Sequence, residues 1–108
     1  LQRELLAELP VKLPDLRLYR RMVGVAVVRG VKIRFGIAGQ CDLHGFTRAG
    51  RAVEVELKSA TGVLSAPQKA WRDSLTGWGV LWVCLQARDN ETTKETIDRW
   101  IEELRCLC

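Results

Sequence analysis

Glu56-Leu57-Lys58 sets a carboxylate and an ammonium two residues apart. On a β-strand such residues project from one face, roughly 7 Å apart along the chain. Asp42 lies on the preceding apolar stretch, joined to this one by a short turn at Arg48–Arg51, and strands joined so closely are natural antiparallel neighbours. With Asp42 paired near Glu56, two carboxylates and one lysine converge on a single patch. Neighbouring carboxylates repel, and a hard divalent cation such as Mg²⁺ or Mn²⁺, which prefers oxygen ligands, relieves that repulsion. Such a cation polarises a phosphoryl oxygen and lowers the pKa of a bound water. A lysine beside it steadies the attacking hydroxide or the charge developing on phosphorus. The chemistry is metal-assisted phosphodiester hydrolysis. An E-x-K alone is as readily the solvated face of an amphipathic strand, so its surroundings must carry the case.

Those surroundings read as alternating helices and strands. Residues 1–9 form a short helix with Leu5, Leu6 and Leu9 on one side, and Pro10 and Pro14 bracket a connector. From Leu18 to Phe35 β-branched residues (Val23, Val25, Val27, Val28, Val31, Ile33) predict two strands with a hairpin turn at Arg29-Gly30. Cys41–Thr47 is another short strand. Ala52–Lys58 alternates cleanly, Val53, Val55 and Leu57 facing one way and Glu54, Glu56 and Lys58 the other. Ser65-x-x-Gln68 is a capping box opening a helix whose stripe is Gln68, Trp71, Leu75 and Trp78. Val80–Leu85 is a near-continuous apolar strand, as expected when both faces are covered. A last helix starts at the Thr92-x-x-Glu95 box and buries Ile97, Trp100, Ile101 and Leu104. The expected fold is α/β in the order α-β-β-β-α-β-α, a mixed central sheet of about four strands flanked by helices. Ala52–Leu85 should be a right-handed parallel crossover.

The chain has 108 residues, enough for one domain spanning 1–108 and a real core without staples. No apolar run reaches the roughly 18 residues of a membrane span, and no secretory signal pattern is present. Four cysteines (Cys41, Cys84, Cys106, Cys108) accompany one histidine with no C-x-x-C spacing, which argues against zinc. Reduced thiols in a cytoplasmic setting are expected, with Cys84 a small buried hydrophobe. The net charge of +4 is uneven: residues 1–50 hold nine Lys/Arg against four Asp/Glu, and residues 51–108 hold eight against nine. The basic cluster suits a phosphate backbone as well as it suits a solvated face. Arg20, Arg21, Lys32 and Arg34 are the main candidates for phosphate contact, with Lys69 a further one. Trp71, Trp78, Trp82 and Trp100 fall on apolar stripes or in the core strand, which points to packing rather than base stacking.

Asp42 followed by Glu56-x-Lys58 resembles the D…(D/E)-x-K signature of the restriction-endonuclease-like superfamily. Within it, Tyr19-Arg20-Arg21, Phe35-Gly36, Gly39-Gln40-Cys41-Asp42-Leu43-His44-Gly45 and Gly50-Arg51-Ala52-Val53-Glu54-Val55-Glu56-Leu57-Lys58 are similar to the virus-type replication-repair nuclease family (VRR-NUC, of PD-(D/E)xK type). Gly62-x-Leu64-Ser65-x-x-Gln68-Lys69-x-Trp71 and the glycine-started strand Gly79–Leu85 match in order, so the likeness covers residues 19–85. Cys41 departs from the pattern, which more often has proline or another small residue there. The resemblance implies metal ligands at Asp42 and Glu56, a catalytic Lys58, an active-site Gln68 and a ligating backbone carbonyl at Leu57. It also implies a first-helix glutamate near the metal, for which Glu4 or Glu8 is placed; either is equally a surface helix charge. Two roles are open to Gln68, closing the capping box and serving the site, and they are compatible. His44 shares Asp42's strand face by alternation and is more simply a satisfied neighbour.

The expectation is therefore a Mg²⁺- or Mn²⁺-dependent DNA endonuclease. The resemblance implies branched substrates such as Holliday junctions, and replication or repair in a bacterium or phage. The alternatives are a nuclease of other specificity (flap, restriction-like or RNA) and a non-catalytic DNA-binding or interaction module. Symmetric cutting of a four-way junction needs two sites, which a homodimer supplies. The first and last helices offer apolar material for its interface unless they cover their own sheet.

Overall fold

Both capping boxes form as their spacing predicts. Thr92 Oγ1 accepts from the Glu95 N–H at 3.2 Å while Glu95 Oε1 accepts from the Thr92 N–H at 3.0 Å. The Ser65–Gln68 box closes in the same way. A computed structural model of the chain describes residues 1–21 and 24–108, with side chains throughout except at positions 24, 34 and 35. Val23, expected in the first strand of the hairpin, and the Arg34 side chain, a candidate phosphate contact, lie outside the described set.

The elements are α1 (Gln2–Lys12), β1 (Leu16–Arg20), β2 (Gly24–Val28), β3 (Val31–Phe35), β4 (Leu43–Thr47), β5 (Ala52–Lys58), α2 (Ala66–Gly77), β6 (Leu81–Gln86) and α3 (Thr93–Arg105). A four-stranded mixed sheet runs β1-β4-β5-β6, antiparallel except for the parallel β5–β6 pair that α2 connects. With the separate β2–β3 hairpin set aside, the order is the expected α-β-β-β-α-β-α. The fold is mixed α/β, consistent with a restriction-endonuclease-like core.

Alternation along β5 divides the molecule. Val53 and Val55 join Leu5, Leu9, Leu16, Leu43 and Leu85 with Ile97, Trp100, Ile101 and Leu104 in one core, under α1 and α3. Glu54 and Glu56 turn to the opposite face, where side chains of α2 meet them. Among the described residues no helix is long and apolar enough to cross a membrane.

Four details depart from the sequence reading. α1 continues through Pro10 to Lys12, because Leu13 carries the buried stripe of Leu5 and Leu9 onward; its N–H closes on the Leu9 carbonyl at 2.7 Å. The stretch Leu18–Phe35 holds more than one hairpin: β1 begins at Leu16 and joins the main sheet. β6 is an edge strand, so only Leu85 is buried in it, and Cys84 is half-buried rather than core. Trp78 is 81% exposed, since the helix stops at Gly77 and its stripe ends with Leu75. The apolar stripes of α1 and α3 cover their own sheet, the alternative that the sequence reading kept beside a dimer interface.

Candidate active site

The β4–β5 register brings the two carboxylates together. Leu43 pairs with Val55, so one step back along β4 sets Asp42 across from Glu56. Asp42 sits just before the strand, held at both ends of the residue. Its Oδ2 accepts from the Leu57 N–H at 2.8 Å, and its carbonyl accepts from the Arg21 N–H at 2.8 Å. An extended residue directs N–H and C=O to the same strand edge. The Leu57 carbonyl therefore faces the Asp42 side.

Glu56 is only 4% exposed. Its Oε1 accepts from Gln68 Nε2 at 2.9 Å and has Lys58 Nζ at 3.8 Å, while Oε2 is buried without a hydrogen-bond partner. Burial, and then the charge of Asp42, push its pKa up to about 7. A solvent-excluded carboxylate oxygen left unpartnered beside a second carboxyl is costly unless something cationic meets it. Asp42, Glu56 and the Leu57 carbonyl are a donor set of oxygens alone, which fits a hard divalent cation. Among the described residues no group of three His, Cys, Asp or Glu side chains is placed to bind metal. A cation here would complete its shell with water, as Mg²⁺ commonly does.

The raised pKa fixes the sign of a stability effect. Between the ordinary glutamate value of 4.5 and about 7 the folded chain holds a proton that the unfolded chain has lost. Stability present below 4.5 is lost as pH rises through about 7 and is level above it. Urea unfolding in chelator should show this decline, and Glu56→Gln should flatten it. An equal decline in the variant would assign it to other groups.

Gln68 closes the capping box and also contacts Glu56. Its Oε1 accepts from the Ser65 N–H at 2.9 Å, and its Nε2 reaches Glu56. Gly39 fixes the distance between this helix start and Asp42. Its φ is +88°, and a Cβ there would overlap the Pro67 carbonyl, so the 36–41 loop lies directly on the first turn of α2. No family model and no curated protein matches the chain. The likeness to the VRR-NUC pattern therefore stands on the motif residues themselves.

The remaining candidates scatter. Glu4 is exposed, with Oε2 2.7 Å from the amino group of Leu1, whose hydrogen bond holds the carboxyl below the usual range. It does not line the cleft at Asp42, where Leu1 and Gln2 lie instead. Glu8 pairs with Lys12. Arg20 and Lys32 are exposed, and Lys69 shares a cleft of about 420 Å³ with Lys58, Val63 and Gln86. Arg21 is engaged inward: its Nη1 lies 2.6 Å from Glu54 Oε1, which also accepts from Trp71 Nε1 at 3.1 Å. That guanidinium is held by a protein carboxylate instead of being presented to phosphate. His44 pairs across the sheet with Glu54, and its ring lies tilted to that of Tyr19 with centroids 6.2 Å apart.

Two residues escaped the sequence reading. Glu54 had a visible signal, since it shares Glu56's face of a buried strand and must find a cation. Gln86 had none. Its Nε2 donates to the Gly62 carbonyl at 2.9 Å and approaches those of Ser59 and Ala60, tying down the loop that follows Lys58.

Proposed function

We propose that the chain is a divalent-metal-dependent phosphodiesterase of the VRR-NUC type acting on DNA as an endonuclease. One observation carries the reading: the buried Glu56 carboxylate stands across from Asp42, with Lys58 and Gln68 beside it. Asp42, Glu56 and the Leu57 carbonyl would hold Mg²⁺ or Mn²⁺. When bound, the cation supplies Lewis acidity toward a phosphoryl oxygen and the activation of water. Lys58, at the end of β5 with its stem packed beside Gly62, offers an ammonium to charge developing on the phosphate. Gln68 holds Glu56 by one oxygen and leaves the other for the cation. Lys69, which lines the same cleft as Lys58, would take the neighbouring phosphate. Incubating the chain with linear, flap and four-way DNA, with and without Mg²⁺ or Mn²⁺, tests the activity and its substrate together. Absence of metal-dependent cleavage on all of them overturns the proposal.

Gln68→Glu separates the two duties of that residue. The glutamate side chain still closes the box with Ser65, so the melting temperature should move little. It replaces the donor to Glu56 with a third carboxylate, which favours protonated Glu56. Cleavage should fall sharply, with partial recovery at higher pH. An unchanged rate would leave Gln68 as a cap alone.

A further inference from the structure

Among the described residues the β2–β3 hairpin pairs with no other strand. Its turn is of the I′ kind, with φ of +51° at Arg29 and +78° at Gly30, which matches the natural twist of a two-stranded ribbon. Both faces are open. Val28 and Val31, on the face shared with Ala26 and Ile33, are 48% and 61% exposed; Val27, opposite Lys32 on the other face, is 66% exposed. An isolated ribbon with so much exposed apolar surface is marginal by itself and needs a partner.

Charge identifies that partner. From Arg17 to Cys41 the sequence carries six basic residues and no acidic one. Arg29 and Lys32 are exposed, and neither forms an ion pair among the described residues. A second copy docking ribbon on ribbon would set these cations against their own counterparts, whereas a polyanion would neutralise them. Dimensions agree. Five-residue strands are about 17 Å long, and a two-stranded ribbon fits the roughly 12 Å major groove of B-form DNA. The deep, narrow major groove of A-form RNA does not admit it.

We infer that the β2–β3 ribbon docks in the major groove of duplex DNA, with Arg29 and Lys32 on the phosphates that line it. The inference rests on the nuclease reading for its choice of polyanion, and it names the duplex arm as the part of the substrate gripped outside the site. The ribbon's base meets that site: the Arg21 N–H, where the chain leaves for β2, bonds the Asp42 carbonyl where it returns. A duplex seated on the ribbon is thereby anchored beside the carboxylate pair.

The test is fluorescence anisotropy of the full chain in chelator, on a short DNA duplex, its single strand and an RNA duplex of the same sequence. The variant is Arg29→Asn with Lys32→Gln; Asn-Gly is the favoured I′ pair, so the hairpin survives. Duplex DNA affinity should fall about tenfold, and the slope of log K against log salt should flatten by roughly 2 units, near 0.9 per phosphate contact. Binding to single-stranded DNA and to the RNA duplex should change little. Unaltered duplex affinity and slope overturn the inference. So does a wild-type dimer in sedimentation that Val28→Thr with Val31→Thr dissociates while leaving the salt slope intact, because the ribbon is then a protein interface. Cleavage is scored separately. Loss of slope without any metal-dependent cleavage keeps the ribbon and removes the nuclease, and cleavage with an unchanged slope does the reverse.

Discussion

Asp42→Asn and Glu56→Gln should each abolish metal-dependent cleavage while DNA binding in chelator stays level or tightens. Either change takes one of the two carboxylate oxygens that the cation needs, and with the cation goes everything it contributes to the transition state. Removing a negative charge from a surface that faces phosphate can only ease binding. Lys58→Ala is the milder lesion, costing at least about 10²-fold in rate, the scale of one oriented charge stabiliser. A collapse of the fold would mimic loss of activity, but the electrostatics provide the control. Ionised Glu56 is a buried charge that Lys58 offsets only in part in the metal-free chain, so Glu56→Gln should melt higher than the parent above pH 7 in chelator. Added Mn²⁺ should raise the melting temperature of the parent and not of the variant. Near-normal cleavage by either carboxylate variant would remove the metal assignment.

Much of the site was legible because strand periodicity is rigid. The alternation Val53, Glu54, Val55, Glu56, Leu57, Lys58 decides which side chains share a face, and a short turn leaves β4 little choice of partner. Capping boxes are equally local, which is why the beginnings of α2 and α3 and the placement of Gln68 follow from four residues each. What spacing could not supply was long-range pairing. Nothing near Arg21 in the chain announces that it will meet Glu54, thirty-three residues away, and a basic cluster on paper reads as a surface. The end of α1 and the exposure of Trp78 failed for a related reason. Pro10 and the α2 stripe carry local signals, and the core under Leu13 and the stop at Gly77 overrode them.

The Glu54 pairing gives the site a second tier. Glu54 and Glu56, two apart on β5, accept from Trp71 and Gln68, three apart on α2. Strand spacing is thus matched to helical spacing, and the two rungs lock the helix to the sheet face. Asp42 and Arg21 flank the same rungs from the other side. The lower tier carries a charge closely paired with Arg21, and the upper tier a charge met by Lys58 only at 3.8 Å.

Arg21→Ala should accordingly destabilise the fold strongly, by about 3 kcal/mol, toward the low end of what breaking a buried ion pair costs. The Arg21 and Glu54 side chains are only 17% and 7% exposed, so water cannot replace the lost guanidinium. The change should lower the melting temperature by on the order of 10 °C for a domain this small. Combining Arg21→Ala with Glu54→Gln should recover part of the loss, because no unpaired carboxylate then remains, while the Trp71 bond has an acceptor still. The site would register the same lesion. An uncompensated Glu54 beside Glu56 opposes a second negative charge, so Glu56 ionises at higher pH and the pH–rate profile of Arg21→Ala moves to the alkaline side. The double variant should bring it back. The salt slope of DNA binding should stay close to the parent's, in contrast to the ribbon variant, since this guanidinium faces protein. A single variant that melts like the parent but loses salt dependence would instead put Arg21 on the phosphate backbone and leave Glu54 to another partner.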